Sequence, residues 1–129
     1  MVGCETAEYL AEQGCKITLI EMEDTIADGV SSTVLPTLLE NYRTYGVEVF
    51  TGYKVKSIKN NELICENKES NEVRIVCDYV VLAIGARPTK FDISELTKSN
   101  IEVIKVGDCS EVADISHAIK TGYDAANSL

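Results

Sequence analysis

The sequence predicts an α/β fold in which helices flank a parallel sheet and an antiparallel β-meander follows. Two patterns lead to this prediction. Residues 3–50 alternate helical spacing with short apolar runs, as expected of parallel strands joined by helices. Residues 53–77 then alternate polar and apolar side chains, with a turn at Asn60-Asn61, which is typical of antiparallel strands. With 129 residues, 45% of them hydrophobic, the chain can bury a sizeable core.

A first helix is predicted over residues 3–13, and Gly14 ends it. Its apolar side chains share one face: Cys4, Ala7, Leu10 and Ala11. A strand over 17–20 follows, with too little alternation for an open face. We therefore expect helices on both sides of its sheet.

A second helix is predicted over 33–45, with Ser32 or Thr33 as its N-terminal cap and Gly46 as its stop. Pro36 must lie in the first turn of this helix, because no N–H is needed there.

Four strands are predicted next. A parallel strand over 47–50 comes first, and strands over 54–59, 62–66 and 73–77 follow as a meander. An apolar run over 80–84 then predicts a buried strand that returns to the centre of the parallel sheet.

That run ends in Gly85-Ala86-Arg87-Pro88, in which the glycine marks a turn. Arg87 could approach a phosphate or be solvated, and a simple end of a strand is the alternative for the whole segment. Residues 101–106 predict a further strand, Gly107-Asp108 a turn, and residues 113–128 a helix. By itself, this last segment is only a capped turn before a helix.

Residues 2–21 carry the strongest functional signal. A helix that starts at Gly3 can lie close against a strand, since glycine has no Cβ, and its free N–H groups favour a pyrophosphate. Glu21 follows Gly3 by 18 residues, near the spacing of about 20 at which an acid binds the adenosine ribose. This pattern predicts the second half of a dinucleotide-binding βαβ unit that favours NAD over NADP. An ordinary buried helix with a nearby glycine and a surface Glu is the alternative.

The strand and the two glycines that would complete this fingerprint are missing before Gly3, so we expect that the chain begins inside its own motif. The first strand of such a sheet is central. We predict that residues 101–106 fill its place by pairing with 17–20 or 80–84, within one molecule or in a swapped homodimer. Direct pairing of those two flanking strands is the alternative.

Charge and cysteine content argue against several kinds of partner. The net charge of −9 argues against nucleic acid or an anionic membrane. Five widely spaced cysteines and one histidine form no metal-ligand pattern. We expect reduced, mostly buried thiols in a cytoplasmic protein.

Residues 2–7 and 19–22 resemble the pyridine-nucleotide domain of flavoprotein reductases that bind two dinucleotides, and the segments 80–88 and 101–129 extend the resemblance to nearly the whole chain. The sequence is most similar to the C-terminal part of the old yellow enzyme-type NADH:flavin oxidoreductases, such as 2,4-dienoyl-CoA reductase and clostridial NADH oxidase. In that family a meander replaces the next crossover helix. The missing glycines are the chief departure.

The resemblance implies a Rossmann-like nicotinamide-dinucleotide domain over 1–98 and the strand–turn–helix tail of an FAD domain over 99–129. It implies NAD(H) as cofactor, FAD in a full-length parent, and no catalytic or metal-binding side chain in this chain. Asp108 would bond a ribityl hydroxyl of FAD, and Glu5 would lie close to the nicotinamide. The implied cofactor-binding residues are Gly3, Glu5, Glu21, Met22, Ala83, Gly85, Arg87, Gly107 and Asp108.

The resulting hypothesis is a dinucleotide-binding fragment of an FAD-dependent NADH oxidoreductase that passes hydride from NADH to flavin, with little or no activity alone. Two alternatives stay open: a non-catalytic module that binds ADP or NAD, and an inactive fold fragment.

Overall fold

The computed structural model describes residues 1–99 and 101–129. It divides into two compact units, Met1–Ala83 and Ile84–Leu129. The elements of the first unit are α1 (Val2–Glu12), β1 (Thr18–Ile20), α2 (Leu35–Tyr45), β2 (Glu48–Phe50), β3 (Tyr53–Lys59), β4 (Glu62–Asn67) and β5 (Glu72–Val76). Those of the second are α3 (Ser94–Lys98), a 3₁₀ turn (Gly107–Cys109) and α4 (Ile115–Ser128). The predicted domain boundary between residues 98 and 99 concerns function and stays a prediction.

The mixed α/β class is confirmed, with a parallel pair of strands and an antiparallel meander. β1 and β2 run parallel, and Leu19 lies opposite Val49 in their register. The meander has the strand order β3-β4-β5, with both pairs antiparallel. Asn60 and Asn61 have φ angles of 51° and 61°, as a tight hairpin turn requires.

The core of the first unit lies where α1 packs on α2. Its buried members are Cys4, Ala7, Ala27, Leu38 and Tyr42. The Tyr42 hydroxyl crosses between the helices and donates to the Cys4 carbonyl oxygen at 2.9 Å. A second small core lies under the meander, where alternation along β4 turns Leu63 and Cys65 inward.

The ends of α2 match the sequence in part. Gly46 ends the helix in the left-handed conformation with φ of 72°, and Pro36 lies in the first turn, as predicted. The predicted side-chain cap from Ser32 or Thr33 is wrong, because the N-cap residue is Val34 and no side chain caps the helix. The Ser31 carbonyl already accepts the N–H groups of Val34 and Leu35, at 2.9 and 3.2 Å, so a side-chain acceptor is not needed.

Two predicted strands are wrong. Residues 80–84 and 101–106 have no regular secondary structure, and β1 pairs with no strand other than β2 among the described residues. Within one chain, the predicted insertion of 101–106 beside 17–20 or 80–84 is therefore wrong, and so is its alternative, direct pairing of the two flanking segments. Insertion in a swapped homodimer stays a prediction. An apolar run becomes a strand only when a neighbouring strand satisfies its backbone groups.

The last predicted helix is present, but its large apolar side chains are not buried. α4 begins at Ile115 because the Asp114 carboxylate caps it, with Oδ1 accepting the His117 N–H at 2.7 Å. Ile115, Ile119 and Tyr123 are between 68% and 79% exposed. None of the helices in 1–99 and 101–129 is long and apolar enough to cross a membrane.

All five cysteines are free thiols. Cys4 and Cys65 are buried, and Cys77 is half-buried. Cys15 and Cys109 are exposed, so the expectation of mostly buried thiols is wrong. Both exposed cysteines lie outside the cores, in a loop and a turn.

Candidate functional site

Within the predicted site, Gly3 lies against Ala83. A Cβ placed on Gly3 would lie 3.0 Å from the Ala83 Cβ, closer than carbon atoms normally approach. The start of α1 therefore touches a neighbouring backbone segment at a point where glycine leaves room. The sequence predicted that the helix start lies close against a strand at Gly3, but the segment that approaches Gly3 is not a strand.

The first turn of α1 carries no side-chain cap, since Met1 precedes it and makes no capping hydrogen bond. Uncapped N–H groups at a helix start carry partial positive charge and accept an anion. Glu5 lies in this first turn with an exposed side chain, and its backbone N–H donates to the Met1 carbonyl at 3.0 Å.

Glu21 lies at the carboxyl end of β1 and is held by four hydrogen bonds. Its backbone N–H donates to Phe50 at 2.8 Å, and its carbonyl accepts the Tyr53 N–H at 3.0 Å. Its side-chain Oε1 accepts the backbone N–H groups of Met22 and Glu23, at 2.7 and 3.1 Å. Oε2 has no hydrogen-bond partner among the described residues, so this oxygen can accept from a hydroxyl of a ligand.

Met22 has a second role, because it lines a cleft that sequence reasoning missed. This lysine cleft has a volume of about 240 Å³ and is bounded by Met22, Gly52, Lys54, Lys56, Glu66, Asn67 and Lys68. Lys54 and Lys56 both line the cleft from β3, on either side of the point where the β3–β4 register begins to shift after Val55. The two lysines were visible in the sequence, but the approach of Met22 and Lys68 was not.

The carboxylate of Glu66 lies among these lysines. Lys56 Nζ is 2.6 Å from Glu66 Oε2. The hydrogen bond from Lys56, with a second from Ser70, lowers the pKa of Glu66 below its usual value. This carboxylate therefore stays ionised and neutralises part of the positive charge.

The remaining predicted residues belong to the second unit. Gly85 is exposed with φ of 86°, and Arg87 is exposed beside it. Gly107 is buried, and its N–H donates to Thr121 Oγ1 at 2.9 Å. A Cβ on Gly107 would lie 3.3 Å from the Ala118 Cβ, so the turn packs tightly on α4. The Asp108 side chain next to it is exposed.

Two supporting residues gave no signal in the sequence. Thr121 anchors the Gly107 turn, and Tyr42 anchors the start of α1 through the Cys4 carbonyl. Burial raises the pKa of the Tyr42 hydroxyl, with further contributions from Cys4 and Glu8. Each partner lies at least 14 residues away along the chain, so only the fold brings the pairs together.

The first unit thus has a helix whose first turn contains Gly3 and an acid at the end of a parallel strand, two features of α/β domains that bind nucleotides. Residues 1–119 match the family described as pyridine nucleotide-disulphide oxidoreductase, and the chain belongs to this family.

Comparison with curated proteins gives a reductase and an NADH oxidase as relatives. The chain is 48% identical over 130 residues to a bilirubin reductase of Mediterraneibacter gnavus, covering 100% of this chain and 20% of that protein. It is 33% identical over 127 residues to an NADH oxidase of Thermoanaerobacter brockii, covering 98% of this chain and 20% of that protein. The chain therefore spans about one fifth of the length of these relatives.

Solved structures share the fold. Histamine dehydrogenase from Rhizobium sp. 4-9 superposes with a TM-score of 0.81 at 20% identity, over 98% of this chain and 21% of that one. A 2-naphthoyl-CoA reductase superposes with a TM-score of 0.76 at 24% identity, over 98% of this chain and 19% of that one. At these identities the likeness establishes the fold alone.

Proposed function

We propose that the first unit binds NAD(H), and that it does so as part of a longer FAD-dependent NADH oxidoreductase. The observation that carries this proposal is Glu21, whose carboxylate is fixed at the end of β1 with one oxygen available. The relatives include an NADH oxidase and a bilirubin reductase, which are both redox enzymes.

Gly3, Glu5 and Glu21 each have a binding role in this proposal. The dinucleotide pyrophosphate lies against the uncapped N–H groups of α1, and Gly3 keeps that approach free of a Cβ. Glu21 Oε2 accepts a hydrogen bond from an adenosine ribose hydroxyl, and Glu5 lies toward the nicotinamide. When bound, NADH supplies hydride from its nicotinamide C4. The chain orients the ring, and we assign no side chain of the chain as an acid or a base.

The second unit fits the tail of an FAD domain over 99–129. Its Gly107 turn is held to α4 by the Thr121 hydroxyl, and the exposed Asp108 carboxylate can accept a ribityl hydroxyl. Gly85 and Arg87, in the second unit, stay proposed cofactor-binding residues from the resemblance, and Ala83 lies against Gly3 within the first unit. A cytoplasmic location goes with this function, because five free thiols persist in a reducing compartment.

Calorimetry of the purified chain with NADH, ADP and FAD tests the proposal. Saturable binding of NADH that is tighter than binding of ADP supports it. Tight ADP binding with no preference for NADH would instead favour the non-catalytic module, and absence of binding to all three would favour an inactive fold fragment. Little or no NADH oxidation is expected from the chain alone.

The choice of cofactor gives a sharper test through Glu21. Because its carboxylate repels a 2′-phosphate, NADH should bind more tightly than NADPH, by about 1–3 kcal/mol. Glu21→Ala should remove most of this difference, as measured by calorimetry with both cofactors. Glu23→Ala is a matched control, because the exposed Glu23 contributes only its backbone N–H to this bond. An unchanged ratio in Glu21→Ala would contradict the assignment.

A further inference from the structure

The loop that follows β1 is joined to the meander by an ion pair between Asp24 and Lys68. Lys68 Nζ lies 2.5 and 2.6 Å from the two carboxylate oxygens of Asp24, so it donates to both. The two residues are 44 positions apart along the chain. The Asp24–Lys68 pair therefore links two parts of the first unit that only the fold brings together.

The backbone that carries Lys68 is fixed. Lys68 lies in the turn between β4 and β5, where the Asn67 side-chain Oδ1 accepts the N–H groups of Glu69 and Asn71 at 3.0 and 2.9 Å. An asparagine side chain that accepts nearby backbone N–H groups in this way stabilises one conformation of a turn. Through Lys68, Asp24 is therefore attached to a well-ordered part of the meander.

Asp24 lies just beyond the backbone that orients Glu21. The Glu21 carboxylate takes its position from this loop, because its Oε1 accepts the N–H groups of Met22 and Glu23. The Glu23 carbonyl in turn accepts the Gly52 N–H at 2.8 Å. Asp24 is the next residue, so its ion pair restrains the same stretch of backbone. A loop that left the meander would carry both N–H donors away from Glu21.

The orientation of Glu21 matters for binding because an ordered side chain loses less entropy when a ligand arrives. A carboxylate that samples several rotamers must be ordered on binding, and this costs affinity. A carboxylate with one oxygen already fixed presents the other oxygen in a defined direction. The restraint on the two N–H donors therefore reaches the Glu21 oxygen that we assign to the ribose.

We propose that Asp24 and Lys68 are positioning residues for the cofactor: their ion pair holds the loop on the meander and keeps the Glu21 carboxylate directed toward the ribose. This inference rests on the proposed function of Glu21. Neither residue has to touch the cofactor, because the effect passes through the backbone N–H groups of Met22 and Glu23.

Calorimetry with NADH distinguishes positioning from a direct effect of charge. NADH is an anion, so a direct effect predicts tighter binding in Asp24→Asn and weaker binding in Lys68→Gln. Positioning predicts that each variant weakens binding about threefold, within the range of exposed ion pairs. The variant with both substitutions should bind no more weakly than either alone, since the two changes remove one interaction.

Two further variants serve as controls for the calorimetry. Lys68→Arg should bind NADH as the wild type does, because a guanidinium also donates to both oxygens of a carboxylate. Arg43→Gln removes another exposed ion pair of the first unit, between Arg43 and Glu40, and should leave NADH binding unchanged.

Amide hydrogen exchange gives a second measurement that needs no cofactor. The Met22 and Glu23 amides should exchange faster in Asp24→Asn and Lys68→Gln than in the wild type, because their acceptor is held less firmly. The Glu21 amide, which donates to the Phe50 carbonyl at 2.8 Å, should exchange at an unchanged rate. This difference separates a local change in the loop from unfolding of the chain.

The outcomes separate this inference from the proposed function. Equal or tighter NADH binding in Asp24→Asn overturns the positioning role and leaves the dinucleotide site standing, as does unchanged exchange at Met22 and Glu23. If the wild-type chain binds no NADH, the proposed function fails and exchange alone decides. Faster exchange in the two variants then supports orientation of Glu21 by the ion pair, and equal exchange overturns it.

Discussion

Single residues in this chain are constrained by what lies across from them, and Gly3 is the clearest case. A Cβ there would lie 3.0 Å from the Ala83 Cβ. Glu21 is constrained differently, since two backbone N–H groups fix one of its oxygens and leave the other available. The constraint on Gly3 comes from a residue distant in sequence, whereas the constraint on the Glu21 carboxylate comes from the next two residues of the chain.

Gly3→Ala should destabilise the chain by about 1 kcal/mol, because the added methyl group crowds Ala83. In Gly3→Ala/Ala83→Gly the crowding is relieved, and most of the loss should be recovered. The free energy of unfolding in urea measures both. Gly122→Ala is the matched control, because Gly122 is helical with nothing near its Cβ position. This control should gain up to about 1 kcal/mol from helix propensity. Equal losses with and without Ala83→Gly would contradict the contact.

The buried hydroxyl of Tyr42 predicts that the stability of the folded chain depends on pH. Burial raises its pKa, so the folded chain keeps the hydroxyl neutral while the unfolded chain ionises. The neutral Tyr42 hydroxyl contributes fully to the free energy of unfolding below the ordinary tyrosine pKa of about 10. This contribution is lost as pH rises above that value. Wild-type stability should thus fall more steeply above that pH than the stability of Tyr42→Phe.

The same variant should lose about 1 kcal/mol at neutral pH, because the hydrogen bond to Cys4 is absent. Urea unfolding at several pH values measures both effects. Tyr9→Phe, at a position that is 62% exposed, should show neither effect. A parallel pH profile for wild type and Tyr42→Phe would refute the role of the buried hydroxyl.

At the scale of elements, the helices differ in how their ends are satisfied. α2 ends at Gly46 in the left-handed conformation, whereas its start uses the Ser31 carbonyl. α4 has a side-chain cap from Asp114. α1 begins at Val2, directly after Met1, and has no side-chain cap.

Asp114→Ala should destabilise the second unit by about 1 kcal/mol, the usual cost of removing a helix cap. Faster amide exchange at His117 should accompany it, because this N–H loses its acceptor. Asp108→Ala is the matched control, since the Asp108 carboxylate accepts no hydrogen bond from the described residues. Equal protection of the His117 amide in wild type and Asp114→Ala would show that the cap contributes nothing.

At the scale of the whole molecule, much apolar surface is exposed. Tyr79, Val81 and Leu82 are 92%, 61% and 66% exposed, and they lie in a segment without strand partners. Contiguous apolar surface of this kind promotes association. A homodimer through exposed backbone edges stays a proposal.

We expect sedimentation velocity to show concentration-dependent association of the chain. Leu82→Glu should reduce it, because a charge in the segment is costly to bury. Ile115→Glu introduces the same charge at a 79% exposed position on α4 and serves as the control. A monomer at all concentrations, or equal association of wild type and Leu82→Glu, would contradict association through this segment.

The sequence by itself determined the elements whose stabilisation is local. Periodicity, glycine stops and the Asn60-Asn61 turn predict α1, α2, α4 and the three strands of the meander. These elements are predictable because hydrogen bonds within a helix or a hairpin join residues that are close in sequence. It also indicated the family, through the resemblance of the segments 2–7, 19–22, 80–88 and 101–129 to flavoprotein reductases, and residues 1–119 match that broader family. The residues nominated for the cofactor came from that resemblance and stay predictions.

Only the tertiary structure decided the features that need a distant partner. Residues 80–84 and 101–106 have the composition of strands, but a strand forms only beside another strand, and none pairs with them in the described structure. The lysine cleft, the Thr121 anchor and the Tyr42 hydrogen bond likewise join residues far apart in sequence. A local sequence pattern indicates which face of a helix or strand is apolar. It does not indicate which distant residue packs against that face, because the packing of the elements sets that contact.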